Sequence, residues 1–348
     1  MLFRSLWILV WGGANSFAQA LIELRATHDS QSLDAMIARL RVYSISDQDD
    51  AGPWIRKTFP SLAYIVSPSS QDGQEYAAAT WTGISGDRYY RNGDGADPNQ
   101  VSNAWLDQNI RAKGVLGARY PKFLFIMEGD TPSFLGLLHN GLESYRNPSW
   151  GGWGGRYLYR TPHGETRPIW TQGGDAFWRL TSADTVIGED GRVHVSDQAT
   201  IWRWRNAFQN DFSARLDWTV NPADRANHNP VASVNGVEGT LPVEIWLTTG
   251  KSAELDASGS HDPDKDQLRF HWMLYPEAGA SAAHVAQLQL SAGEGSLVLV
   301  TAQSACRETW LGAPPCASPG EAHLILSVTD NGTPPLTSYR RIIVHVSP

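Results

Sequence analysis

Arg41-Val42-Tyr43-Ser44-Ile45-Ser46-Asp47-Gln48-Asp49-Asp50-Ala51-Gly52-Pro53-Trp54-Ile55-Arg56 is the stretch that decides the fold class. It opens on a short apolar run rich in β-branched and aromatic residues, Arg41 to Ile45, which reads as a buried strand. Asp47, Asp49 and Asp50 follow at once, and a helix is expected from Gly52 to Phe59. A strand that feeds a helix through a polar turn is the first half of a strand–helix–strand crossover, the unit of a parallel sheet. In open α/β sheets ligands bind outside the carboxyl ends of the strands. Carboxylates gathered there are unfavourable unless a cation or a hydroxyl-rich ligand satisfies them.

The same grammar extends in both directions. Upstream, Leu6–Trp11 reads as a strand, Gly12-Gly13 as its turn, and Ser16–Arg25 as a helix. A secretory signal is the rival reading, since Arg4 precedes the apolar run and Ala18-Gln19-Ala20 imitates a cleavage box. The run is short for a signal core, and the strand is preferred. A second helix is expected over Ser30–Leu40, with Leu33, Met36, Ile37 and Leu40 on one face. Downstream, Leu62–Val66 reads as a strand closed by Pro68, Gln100–Ile110 as a helix, Phe123–Met127 as a strand and Pro132–Leu138 as a helix. Two more acidic turns, Ser85-Gly86-Asp87 and Met127-Glu128-Gly129-Asp130, match the first. Pro148–Trp178 is irregular and rich in Gly, Trp and Tyr, as functional loops often are. Thr200–Trp218 returns to helical spacing.

Composition narrows the function. The chain has 348 residues, a formal net charge of −8 and scattered basic residues, which argues against nucleic acid as a partner. No stretch is long and apolar enough to span a membrane, so no membrane partner is expected. Fifteen tryptophans are many for this length; tryptophan packs in cores and also faces sugars and interfaces. The only cysteines, Cys306 and Cys316, bracket Pro314-Pro315; a loop-closing disulfide and two free thiols are both open.

Beyond Asn227-His228-Asn229-Pro230, which reads as a linker, the pattern changes to short alternating strands. These are Ala253–Asp256, Leu268–Trp272, Ser296–Thr301, His323–Thr329 and Arg340–Val346, the signature of a β-sandwich. Asp256 to Asp266, followed by Phe270-His271-Trp272, resembles the PKD/cadherin-like class of Ig-type modules, with Trp272 against the core. Asp262, Asp264 and Asp266 read either as oxygen ligands for calcium or as a solvated turn. The expected division is residues 1–226 and 227–348.

Five stretches together resemble a bacterial family that pairs a nucleoside hydrolase-like domain with a C-terminal Ig-like domain, some members being described as cellulose-binding proteins. They are Val10–Asn15, Ile45–Arg56, Thr80–Asp87, Ile126–Leu135 and Trp150–Tyr157. The resemblance implies an α/β fold with a mostly parallel sheet and flanking helices, followed by an all-β sandwich. It also implies a Ca²⁺-assisted hydrolase acting on an N-glycosidic or related sugar bond. In such enzymes the ion holds the sugar diol and a water, and a carboxylate deprotonates that water. By motif position, Asp130 and Asn15 are similar to metal ligands, Asp49 and Asp50 to sugar-binding groups, and Glu128 to a hydroxyl-binding group or acid. Asp87 and Trp54 join the substrate set. Trp150 and Trp153 read either as sugar-stacking rings or as a turn held by tryptophan packing.

One departure stands out. The Asp-rich DxDxxxDD segment that opens nucleoside hydrolases has no counterpart before Leu6. The chain is therefore expected to begin inside the domain, with an open sheet edge and impaired hydrolysis. No HExxH, GxSxG, P-loop or dinucleotide fingerprint offers another chemistry. The alternatives are an enzyme on glycosidic bonds, a non-catalytic binder of cellulose or plant polysaccharide, and a scaffold. The partner is in each ligand-binding case a sugar-containing small molecule or polysaccharide, and the family's location is extracellular or periplasmic.

Overall fold

A computed structural model describes residues 5–66, 84, 95–124, 126–162, 164–172, 182–279, 285–306 and 316–348. The chain forms two compact units. Unit 1 comprises residues 1–101, 123–137 and 153–203; unit 2 comprises 102–122, 138–152 and 204–348.

Unit 1 is built on a five-stranded sheet. Strands β1 (Leu6–Val10), β2 (Leu40–Ser44) and β3 (Ala63–Val66) run parallel in that order, with β1 at the edge. β4 (Leu158–Arg160) and β5 (Ile169–Thr171) complete the order β1-β2-β3-β5-β4; β5 is parallel to β3, and β4 antiparallel to β5. Helices α1 (Asn15–Thr27), α2 (Ser30–Ile37) and α3 (Ala51–Thr58) lie between the first three strands. Alternate strand residues face opposite ways, and both faces are covered. Val10, Val42, Tyr64 and Val66 pack with Leu21, Ile37, Ile55 and Phe59 of the helices and their ends. Tyr43, Ile45 and Ile65 pack with Tyr157 on the other face, joined by Trp7, Leu9 and Ile126. A small hairpin, β6 (Asp184–Ile187) and β7 (Val193–Ser196), stands apart from this sheet.

Differences from the expected elements have physical causes. Phe123–Met127 forms no strand among its described residues, and Leu124 is exposed. An apolar run becomes a strand only where a neighbour offers free backbone groups, and among the described residues β1 pairs with β2 alone. Ile126 instead packs on the Tyr43 face of the sheet. The helix expected over Gln100–Ile110 is broken into a 3₁₀ turn, a short α-helix begun by the Ser102 cap, and a π-turn. The one expected over Thr200–Trp218 divides into Ala199–Trp202 and Arg205–Asp217. The helix Pro132–Leu138 stops at Leu135.

Unit 2 is dominated by strands. After the short hairpin of β8 (Ser233–Val234) and β9 (Val237–Glu238) come β10 (Val243–Thr248), β11 (Ser252–Asp256) and β12 (Arg269–Leu274). β13 (Gln287–Leu290), β14 (Leu297–Ser304), β15 (Gly320–Thr329) and β16 (Thr337–Ser347) follow. One sheet has the order β10-β16-β15-β12 and the other β11-β14-β13. Leu255, Val298 and Val300 of the second share one core with Trp272, Leu324, Leu326, Ile342 and Val344 of the first. Trp272 is buried there, and its indole donates to the Gly295 carbonyl at 2.9 Å. Cys306 and Cys316 form a disulfide.

Candidate functional site

The turns that follow β1 and β2 meet at the carboxyl rim of the unit 1 sheet. Asp49 joins them: its carboxylate accepts the backbone N–H of Asn15 at 3.1 Å and that of Ala51 at 3.0 Å. One side chain thus serves the first turns of α1 and α3, where backbone donors lack helical partners. Gly13 permits this closeness, because a Cβ there would run into the Asp49 carboxylate. The Asn15 side chain bends back to accept its neighbour's N–H, from Ser16, at 2.7 Å. Asp50 is exposed and makes no cap to α3.

The turn containing Glu128 and Asp130 reaches the same rim. Trp11, next after β1, donates its indole N–H to the Ser133 hydroxyl at 2.8 Å, and its ring centroid lies 6.3 Å from that of Phe134. Ser133 in turn donates to the Asp130 carbonyl at 2.7 Å. Glu128 accepts a hydrogen bond from the Thr131 hydroxyl. The Asp130 carboxylate accepts no hydrogen bond among the described residues, and burial pushes its pKa up. Trp11 remains 55 % exposed, so an aromatic face borders these acids. Trp11, Ser133 and Phe134 are rim residues that the motif reading did not single out; the signal for Trp11 was its place between the β1 run and Gly12-Gly13.

Asp47, the first aspartate of the opening stretch, serves a different purpose. Arg56 donates to both of its oxygens, at 2.8 and 2.7 Å, and also pairs with Glu165. Arg56 is buried, and its guanidinium lies 5.1 Å from the centre of the Tyr64 ring. Burial works against its charge, but the hydrogen bonds and charges of Asp47 and Glu165 outweigh that and raise its pKa. This is a closed ion cluster, not a receptive group.

The remaining candidates are dispersed. Asp87 lies outside the described residues. Trp54 packs towards the α-helical core, edge-on to Phe59 and beside the Arg25 guanidinium. Trp153 is 2 % exposed, which corrects its reading as a stacking ring: a core indole has no free face for a ligand. Trp150 belongs to unit 2, where its ring sits against His323 and under Arg341. The Asp262 turn closes on itself, Asp262 accepting the backbone N–H groups of Asp264 at 2.7 Å and Asp266 at 3.2 Å.

Comparison with known proteins now bears on this rim. A family described as cellulose-binding Sde182, nucleoside hydrolase-like domain, matches residues 3–157. A second, the C-terminal domain of cellulose-binding protein Sde0182, matches residues 252–346. A solved structure, a nucleoside hydrolase-related hypothetical protein from Saccharophagus degradans associated with carbohydrate metabolism, shares 31 % sequence identity with the chain. It covers 99 % of this chain and 72 % of its own, with a TM-score of 0.73. The chain belongs to this family. Every candidate from Asn15 to Trp153 lies within residues 3–157, the segment of this chain that the nucleoside hydrolase-like model matches. Cadherin repeats EC21–23 of human CDH23 align at a TM-score of only 0.21, with 12 % identity over 34 % of this chain and 33 % of theirs, and carry no argument. No curated protein matches.

Calcium takes six to eight oxygen ligands, so a site for it should assemble several carboxylates and carbonyls. Among the described residues no group of three His, Cys, Asp or Glu side chains comes together in that way. At the rim, Asp49 and the Asn15 side chain are already engaged by backbone N–H groups, and the Asp130 carboxylate accepts no hydrogen bond among the described residues. The described residues therefore do not build a calcium shell by themselves.

Proposed function

We propose that unit 1 is a nucleoside hydrolase-like glycosyl hydrolase that acts on an N-glycosidic or related sugar bond at the rim joining Trp11, Asn15, Asp49, Glu128 and Asp130. The observation that carries this reading is the half-buried Asp130 carboxylate, which no donor among the described residues satisfies, on a turn tied by Ser133 to Trp11. A carboxylate in that state is a strong acceptor for sugar hydroxyls, and its raised pKa makes it a better base towards water. Glu128, two residues away, supplies a second carboxyl beside a hydroxyl, suited to a leaving group or to a further sugar oxygen. Trp11 offers an apolar face for the ring. Calcium is carried in this proposal only as an ion that Asp130 and Asn15 would ligate together with oxygens beyond those the described residues bring together, and no step is derived through it. Unit 2 is read as an Ig/PKD-like sandwich accessory to this site, and the protein as working outside the cytoplasm, extracellular or periplasmic. No helix among the described residues is long and apolar enough to cross a membrane.

A second reading is a non-catalytic binder of cellulose or another plant polysaccharide. What favours it is that two aspartates of the acidic turn after β2, Asp47 and the expected sugar-binding Asp49, are committed to Arg56 and to helix termini. The two readings part on one experiment. The full chain is incubated, with and without Ca²⁺, with a nucleoside panel and with cello-oligosaccharides, and free sugar is followed. Release by the wild type that falls at least a hundredfold in Asp130→Asn, at unchanged melting temperature, supports the hydrolase. Release that survives Asp130→Asn removes the rim from the mechanism. No release from any substrate, with retention on cellulose, selects the second reading. Calorimetric titration with Ca²⁺ alone tests the metal: equal affinity in wild type and Asp130→Asn removes it from that residue.

A further inference from the structure

The outer face of the four-stranded sheet in unit 2 is covered unevenly. Alternation sends Val243, Ile245 and Leu247 of β10, and Ile342, Val344 and Val346 of β16, into the shared core. Glu244, Trp246, Arg341 and His345 therefore point the other way. At one end the segment 138–152 lies over that face. Arg341 donates to the carbonyls of Leu142 and Gly151, both at 2.8 Å, the Tyr339 N–H bonds the Asn140 carbonyl, and Trp150 packs on His323. At the other end Trp246 is 70 % exposed.

Trp246 is not loose. Cross-strand register sets it opposite His345 of β16, and His345 opposite Glu321 of β15, so the three form a row across the sheet. The indole and imidazole rings are stacked, with centroids 5.1 Å apart and planes within 23° of parallel. Glu244 holds the imidazole at 3.1 Å from Nε2, and Glu321 approaches Nδ1 at 4.0 Å. A large ring is thus held flat, one side against His345 and the other towards solvent, flanked by two carboxylates. The row covers two inter-strand spacings, about 10 Å, which gives room for consecutive sugar rings.

We propose that Trp246, His345, Glu244 and Glu321 form a binding platform for a neutral β-linked glucan chain, separate from the unit 1 rim. The aromatic plane receives the C–H face of a pyranose ring, and the carboxylates accept hydrogen bonds from its equatorial hydroxyls. The chemistry disfavours the other occupants. Two carboxylates on a chain of net charge −8 repel phosphorylated or sulfated polymers. On this face Trp246 is flanked by Glu244, Thr248, His345 and Ser347, and Ile343, diagonal to it, is buried, so Trp246 is an isolated exposed ring and not the broad apolar patch that a stable protein interface needs. The platform stands whether or not the rim cleaves anything.

The test uses the full chain, amorphous cellulose for depletion assays and cellohexaose for tryptophan fluorescence and calorimetry. Trp246→Ala should lower affinity for both at least tenfold, while Trp246→Tyr, which restores a ring, should lie within about threefold of wild type. Melting temperature should hold in both variants, since the side chain is exposed. Asp130→Asn is measured alongside: glucan binding that falls with Asp130→Asn and not with Trp246→Ala places the glucan at the rim and overturns the platform. Trp246→Ala that binds as wild type does, Trp246→Tyr as weak as Trp246→Ala, or a wild type that binds neither probe, overturns the platform.

Discussion

The Arg56 cluster of unit 1 and the Arg341 cluster of unit 2 both bury a guanidinium, yet they satisfy it by opposite means. Arg56 meets two carboxylates, Asp47 and Glu165. Arg341 meets two backbone carbonyls and His323, with Nη1 3.0 Å from Nδ1 of that ring. Arginine only donates, so Nδ1 of His323 must accept, and Nε2 carries the proton that goes to Glu321 at 2.9 Å. The first cluster is held by charge, the second by a neutral histidine in a fixed tautomer. The difference predicts which unit responds to mutation of its acid partners and which to pH.

The largest effect should come from Arg56→Met. It leaves Asp47 and Glu165 without their cation, and a loss of about 3 kcal/mol is expected for breaking one side of a buried pair. Denaturant unfolding of unit 1 measures it; a change under about 1 kcal/mol would mean that the two acids reach water readily. Acid should strike unit 2 comparably. Burial pushes the His323 pKa down to about 4 from an ordinary 6.5, and the Arg341 charge acts the same way. The unfolded chain therefore takes up the proton more readily. This contribution to stability is complete above about pH 6.5 and is lost as pH falls towards 4. The full shift amounts to roughly 3 kcal/mol. His323→Gln, which keeps an acceptor and a donor, should flatten the profile in that window; an unflattened one assigns the acid sensitivity elsewhere. Asp49→Ala should be the mildest, at about 1–2 kcal/mol for two helix starts that lose one acceptor. Asp49→Asn keeps an oxygen and should lose less. A larger loss of sugar binding than of stability in Asp49→Asn would place that carboxylate at the ligand after all.

The order of elements from β1 to β3 was legible because strong punctuation separates them: Gly12-Gly13 after β1, the aspartate turn after β2, and apolar runs of strand length between. The strand expected at Phe123–Met127 had the same local appearance and failed, since pairing depends on a neighbour that composition cannot reveal. At the rim, the acids were visible in the sequence but their commitments were not. Asp47 and Asp49 look alike on paper. Their fates are set by Arg56, by Glu165 more than a hundred positions onward, and by the start of α1. Tryptophan was just as ambiguous: Trp153 went to the core and Trp246, in a strand absent from the sequence reading because Trp246 interrupts the apolar alternation of Val243, Ile245 and Leu247, went to the surface.

The position of β16 has a consequence for biosynthesis. It lies inside its sheet, between β10 and β15, and also carries Tyr339 and Arg341, which hold the 138–152 segment. Segments 102–122 and 138–152 leave the ribosome long before their final neighbours exist. Unit 1 has all its pieces by residue 203 and is free to close early. Unit 2 must keep its half-made sheet soluble until residue 347 is translated, which makes that interval the protein's window of greatest exposure to aggregation and to chaperones.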